Sequence, residues 1–274
     1  MKGTLAALLL AGLTSLSALG GALDRYDLSK PAARFALPRP LREISGLATT
    51  DDGRLFGHDD ETAALHQIDP RSGRIVKSFG FGKGPTRGDF EGLAIAGKRF
   101  FLTTSDGVVL EGAEGEDAVA VPYRKIETGF GATCEIEGLA YEPKGDVLLF
   151  ACKTPRDDAD RSWVTILRFS LASRAPLSPL RIPQRAITRG SSRRRVHPSG
   201  LERDPVSGHY VFVASKESAL VEVTPEGEVV AVKWLDRGVH PQAEGIAFLP
   251  DGTLAIADEG KRGAGTLTLY APLK

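Results

Sequence analysis

Apolar residues in this chain fall in short runs that alternate with polar ones or cluster as β-branched side chains. Arg74–Phe79 (RIVKSF), His209–Ser215 (HYVFVAS), Ala219–Thr224 (ALVEVT), Glu228–Trp234 (EVVAVKW) and Thr266–Ala271 (TLTLYA) all read as strands. Between such runs stand explicit turn sequences: TTDDGR at Thr49–Arg54, DPRSGR at Asp69–Arg74, EPKGD at Glu142–Asp146, DPVSGH at Asp204–His209, TPEGE at Thr224–Glu228 and LPDGT at Leu249–Thr253. Pro and Asp-Gly punctuation between strands is hairpin chemistry. No stretch beyond the N-terminal segment carries a helical stripe.

Five strands open on nearly the same letters: EISGLA at Glu43–Ala48, DFEGLA at Asp89–Ala94, EIEGLA at Glu135–Ala140, HPSGLE at His197–Glu202 and QAEGIA at Gln242–Ala247. Their glycines, Gly46, Gly92, Gly138, Gly200 and Gly245, are 46, 46, 62 and 45 residues apart. That period, filled with strands and turns, predicts an all-β chain of radially repeated four-stranded sheets, a β-propeller. Five closed units give five blades. The last has room for about three strands, so the segment RYDLSKPAARFALP should supply its fourth and close the ring. Six blades follow if the 62-residue unit conceals one more. An insertion is the preferred reading, because the excess coincides with loop-like stretches at Thr154–Ser162 and Thr188–Arg195.

Met1 to about Ala22 has one early cation, Lys2, an apolar stretch from Leu5 to Leu19 and small residues after it. This is the layout of a signal peptide, cleaved after Gly20 or Ala22. A retained anchor is disfavoured, since the run falls short of the ~20 residues that a bilayer span needs. The expectation is one exported propeller domain, 23–274, periplasmic or secreted, with no membrane span. The 35 basic and 35 acidic residues balance, which gives no reason to expect nucleic acid as a partner. Arg193, Arg194 and Arg195 lie in a Ser/Gly/Arg stretch and read as a solvated loop. The two cysteines, Cys134 and Cys152, flank one hairpin; a disulfide and two free thiols both stay open.

Repeat equivalence brings the strand openings together at one end of the central channel, and the ends of the second strands join them. The residue before the repeated glycine is Glu91, Glu137 or Glu244 in three units and Ser45 or Ser199 in two. Strand alternation adds Asp89 beside Glu91 and Glu135 beside Glu137, and Glu43 opens the first unit. So many carboxylates around one axis raise one another's pKa unless a cation intervenes. Oxygen donors favour Ca²⁺, and Glu91, Glu137, Glu244, Glu43, Asp89 and Glu135 are its candidate ligands. The same glutamates can instead cap backbone N–H groups of the neighbouring blade. His58, Asp59, Asp60, Lys153, His197, Lys216, Glu217, Asp258 and Glu259 make up the candidate ligand pocket. Ser45 and Ser199 lack the turn of a nucleophilic serine, and no catalytic residue can be named.

The set E-x-S-G-L, D-x-E-G-L-A, E-x-E-G-L-A, H-P-S-G-L and E-G-I-A-F-L-P-D-G, with HDDE and ASKES on second strands, resembles the SdiA-regulated (YjiK-type) family of exported propellers. It resembles esterase-like phytase propellers more distantly. The resemblance spans Leu41 to Tyr270 and implies calcium, with no agreed catalytic residue. Two functions follow: a calcium-binding module that binds or signals at the cell envelope, with a small anionic ligand or an envelope protein as partner, or a metal-dependent hydrolase of phosphoesters or lactones.

Overall fold

The computed structural model describes residues 20–84, 86–261 and 263–274. Most of the signal-peptide reading falls on residues 1–19, outside the described residues. The rest forms a five-bladed propeller. Blade one holds Ile44–Thr49, Leu55–Asp59, Ala64–Ile68 and Ile75–Phe81; blade two holds Phe90–Ala96, Arg99–Thr104, Val108–Ala113 and Tyr123–Glu127. Blade three is built from Cys134–Glu142, Val147–Pro155, Trp163–Ser170 and Ala175–Pro183, and blade four from Gly200–Arg203, Tyr210–Ala214, Ala219–Val223 and Val229–Trp234. Blade five takes Ala243–Phe248, Leu254–Asp258 and Thr266–Tyr270, and Ala33–Ala36 pairs antiparallel with Thr266–Tyr270 as its outermost strand. The N-terminal strand thus closes the ring. A short strand, Val119–Val121, leaves blade two and adds in parallel to the edge of blade one.

The opening strands are innermost and touch one another in a closed cycle, blade five against blade one included. Their glycines permit that approach. A Cβ on Gly92 would stand 2.5 Å from the Leu139 nitrogen, and Gly138, at φ +122°, would put one 2.8 Å from the Leu201 nitrogen. Any side chain at either position would push neighbouring blades apart. The axis is consequently filled rather than open.

The core lies between blades, one apolar cluster to each interface. Phe56 and Phe79 of blade one meet Phe100 of blade two edge to face, at 5.1 and 5.4 Å between ring centres. Ala22, Leu23 and Tyr26 pack between blades four and five. There the Ala22 and Leu23 amides donate to the fully buried carboxylate of Glu222, at 2.7 and 2.9 Å.

The long third unit is one blade with extended strands, a 3₁₀ turn at Asp158–Ser162 and a single short helix, Gln184–Ile187. The excess is insertion, not a sixth blade. Cys134 and Cys152 are bridged, with Cα atoms 5.7 Å apart. A uniform hairpin register would set Glu137 opposite Cys152, but irregularities at Glu135 and Ile136 set Ile136 there and leave Cys134 within reach. Among the described residues no helix is long and apolar enough to cross a membrane.

Candidate functional site

The innermost strands break their register just before the repeated glycine: between Ile44 and Gly46, Phe90 and Gly92, Ile136 and Leu139, and Ala243 and Gly245. A bulge re-aims the side chain it carries. Ser45, Glu91, Glu137 and Glu244 therefore point together into a hollow of about 150 Å³ at the channel mouth. Glu43, Asp60, Gln242 and Glu259 stand around it, and Lys153 reaches in from the second strand of blade three.

The carboxyl groups are not equivalent. Glu137 accepts a hydrogen bond from the Lys153 ammonium. Burial raises the Glu137 pKa, while Lys153 pulls it back. Burial opposes the Lys153 charge, but the attraction of Glu137, Glu135 and Glu244 outweighs it, so its pKa is raised. Glu91 accepts a bond of 2.8 Å from the Ser45 hydroxyl, and the charge of Lys153 reaches it only as a minor influence. Burial first, then the charge of Glu137, pushes its pKa up to about 8. Burial and Glu137 also hold Glu244 well above the carboxylate range. The mouth thus combines the Glu137–Lys153 salt bridge with a Glu91 carboxyl that holds its proton at neutral pH. On the rim, burial and Glu43 raise Asp60 to about 6. Its Oδ1 is buried without a hydrogen-bond partner.

Of the six carboxylates read as calcium ligands, Glu43, Glu91, Glu137 and Glu244 line the hollow. Asp89 and Glu135 do not. Asp89 is exposed and accepts from Ser105, and Glu135 lies in the strand opposite Thr154, before the bulge that turns Glu137 inward. Among the described residues no three His, Cys, Asp or Glu side chains converge at metal-ligand separation. The Lys153 ammonium lies among these carboxylates and donates to Glu137.

The pocket candidates divide in the same way. Asp60, Lys153 and Glu259 belong to the hollow. His197 and Lys216 line a larger cavity beside it. His58 is sealed inside blade one at 0% exposure, and burial pulls its pKa down to about 4, so the ring is neutral and cannot touch a ligand. The Asp59 carboxylate caps its own turn by accepting from the Glu61 and Thr62 amides, each at 3.0 Å. Asp258 is buried, accepts from the Gln242 amide at 3.1 Å and meets His240 at 2.8 Å. Glu217 is buried against His197, accepting from its amide at 3.0 Å and meeting Nδ1 at 2.9 Å. These last two act by holding Gln242 and His197 in place.

The larger cavity encloses about 640 Å³ and shares Lys153, Gln242 and Glu244 with the hollow. Arg161, Trp163, Arg195, Arg237 and Lys261 also line it, and none of these except Arg195 stands in a motif of the sequence. The length of the third unit was the available signal, because Arg161 and Arg195 come from the added chain and Trp163 opens the strand that follows it. The arginine loop is anchored rather than simply solvated. Gln184 donates to the Val196 carbonyl at 3.0 Å and accepts from the Val196 amide at 2.9 Å, and Arg193 stacks on Trp234 at 4.1 Å.

No protein-family model matches the chain, and no curated protein sequence matches it either. Similar solved structures exist. A glutaminyl cyclase from Myxococcus xanthus superposes with a TM-score of 0.62 at 18% identity, over 89% of this chain and 97% of that one. A luciferin-regenerating enzyme superposes at 0.54 and 10% identity, over 89% and 96%. At these identities the likeness establishes the fold. The chain is a β-propeller.

Proposed function

We propose that the channel mouth is an acid–base site acting on a small molecule, in an exported propeller of the SdiA-regulated type. One observation carries this reading: the Glu91 carboxyl, its pKa pushed up to about 8, shares one small hollow with the salt-bridged pair Glu137–Lys153. Environments that push the pKa values of neighbouring carboxyls apart assign them different roles. Glu91, protonated at neutral pH, donates a proton to a leaving or carbonyl oxygen and recovers it afterwards. The Lys153 ammonium, fixed by Glu137, faces the negative charge that develops on that oxygen. Enzymes among the similar folds are in keeping with such a site but do not name its substrate.

The test is turnover of a panel of phosphate monoesters, inositol phosphates, lactones and glutaminyl peptides, with a chelator present. Glu91→Gln should lower kcat by about 10²-fold or more on any substrate found. Full activity in that variant, or no turnover across the panel, would count against the reading.

Calcium is the second reading, favoured by the oxygen-only rim of Glu43, Asp60 and Glu259. As arranged, the site does not fit the ion, because Lys153 lies among the carboxylates that would have to hold it. On this reading the protein is a binding or signalling module of the cell envelope, with Lys153 displaced when calcium enters.

A further inference from the structure

The proposed chemistry leaves the larger cavity without a role, and its composition is unlike the mouth beside it. Its wall carries six cationic side chains, Lys153, Arg161, Arg195, Lys216, Arg237 and Lys261, against one carboxyl, Glu244. The chain as a whole is balanced at 35 basic and 35 acidic residues, so this is a local concentration rather than general basicity. Blade three and its connection to blade four supply Lys153, Arg161 and Arg195. Lys216 and Arg237 follow strands of blade four, and Lys261 follows a strand of blade five.

Few of these charges are neutralised locally. Arg161 pairs with Asp158 at 2.8 Å, and Lys153 pairs with Glu137. Arg237 donates to the Lys216 carbonyl at 2.5 Å, which places its guanidinium without cancelling its charge. Among the described residues no ion pair engages Arg195, Lys216 or Lys261. Trp163 stands in the same wall. With Arg161, Gln184 and Arg195 it also lines an adjoining cavity of about 570 Å³, where Arg185 and Arg194 add two more cations. Other blades close without such added chain, so the fold does not require it. The buried Gln184–Val196 clamp nevertheless fixes the segment next to Arg195 firmly.

We infer that the larger cavity is the recognition site for a small polyanion, a molecule carrying at least two phosphate or carboxylate groups, packed against Trp163 with its reacting end at Glu244 and Lys153. The inference rests on the acid–base reading of the mouth and gives it a substrate class. A volume of about 640 Å³ lies within the usual range of roughly 300–1,000 Å³ for small-molecule sites. The guanidinium forks of Arg161, Arg195 and Arg237 suit bidentate contact with phosphate or carboxylate oxygens. Burial and the neighbouring Glu137 raise the pKa of Glu244, which lessens its repulsion of such a ligand at the shared boundary.

Binding can be read without turnover. The chain has two tryptophans, so Trp234→Phe leaves Trp163 as the only indole reporter. Pyrophosphate, inositol hexakisphosphate and citrate should each change its fluorescence saturably, more weakly as salt is raised, while a neutral disaccharide should not. Replacing the exposed Arg195 and Lys216 together by Ala should weaken polyanion binding at least tenfold. No saturable response to any polyanion, or equal affinity in the double variant, would overturn the inference. Polyanion binding with no turnover of any substrate in the panel would sink the acid–base reading and leave the recognition site standing. Turnover of neutral substrates without polyanion binding would do the reverse.

Discussion

Glu91→Gln should change how stability depends on pH. The wild-type carboxyl titrates at about 8 in the folded chain, against about 4.3 when unfolded. Between those values the native state holds a proton that the unfolded state has released. Stability therefore falls as pH rises through that window. Below it both states are protonated and nothing is lost; above it the penalty is complete. One pKa unit corresponds to about 1.4 kcal/mol, so the full interval amounts to roughly 4–5 kcal/mol at most. Gln keeps an oxygen to accept from Ser45 and never ionises. The variant should match wild type near pH 5 and exceed it near pH 9, by roughly 10 °C in melting temperature for a domain of this size. Scanning calorimetry of both proteins at pH 5, 7 and 9, with chelator present, measures the difference directly. A gap between the two that is the same at all three pH values would refute the assignment of a buried, proton-holding carboxyl to Glu91.

Two further outcomes are expected. With Lys153 in place, millimolar calcium should leave the wild-type melting temperature where excess chelator leaves it, whereas Lys153→Met should become calcium-responsive; ligand at about 100 times its Kd adds roughly 2.7 kcal/mol. A calcium-dependent rise in the wild type that Glu137→Gln removes would establish the calcium reading instead. Replacing Cys134 and Cys152 together by Ala opens a bridge with a sequence separation of 18 and should cost about 3 kcal/mol; an unchanged calorimetric midpoint would show that the bridge contributes nothing to stability.

The five blades, the closing N-terminal strand and the insertion in the third unit were all legible because each depends on local chemistry repeated at a fixed spacing. Turn residues mark the hairpins, and glycine marks the strands that must touch at the axis. Which carboxylates meet there was only half legible. Simple alternation sends Asp89 and Glu91 to one face, and Glu135 and Glu137 likewise. The bulges before Gly92 and Gly138 break that alternation, so Glu91 and Glu137 turn into the hollow while Asp89 and Glu135 stay out. A bulge costs a strand one residue of register and leaves no mark in a hydrophobic pattern. The same limit applies to the second strands. In HDDE the histidine is buried in its blade, the first aspartate caps a turn and the second reaches the rim; in ADEG the aspartate is buried and the glutamate faces the mouth. The cationic wall was hidden for a different reason. The length of the third unit announces extra chain, but where that chain packs depends on the buried hydrogen bonds between Gln184 and Val196, which no local pattern announces. Repetition therefore fixes where a site can form, and the departures from repetition decide what it binds.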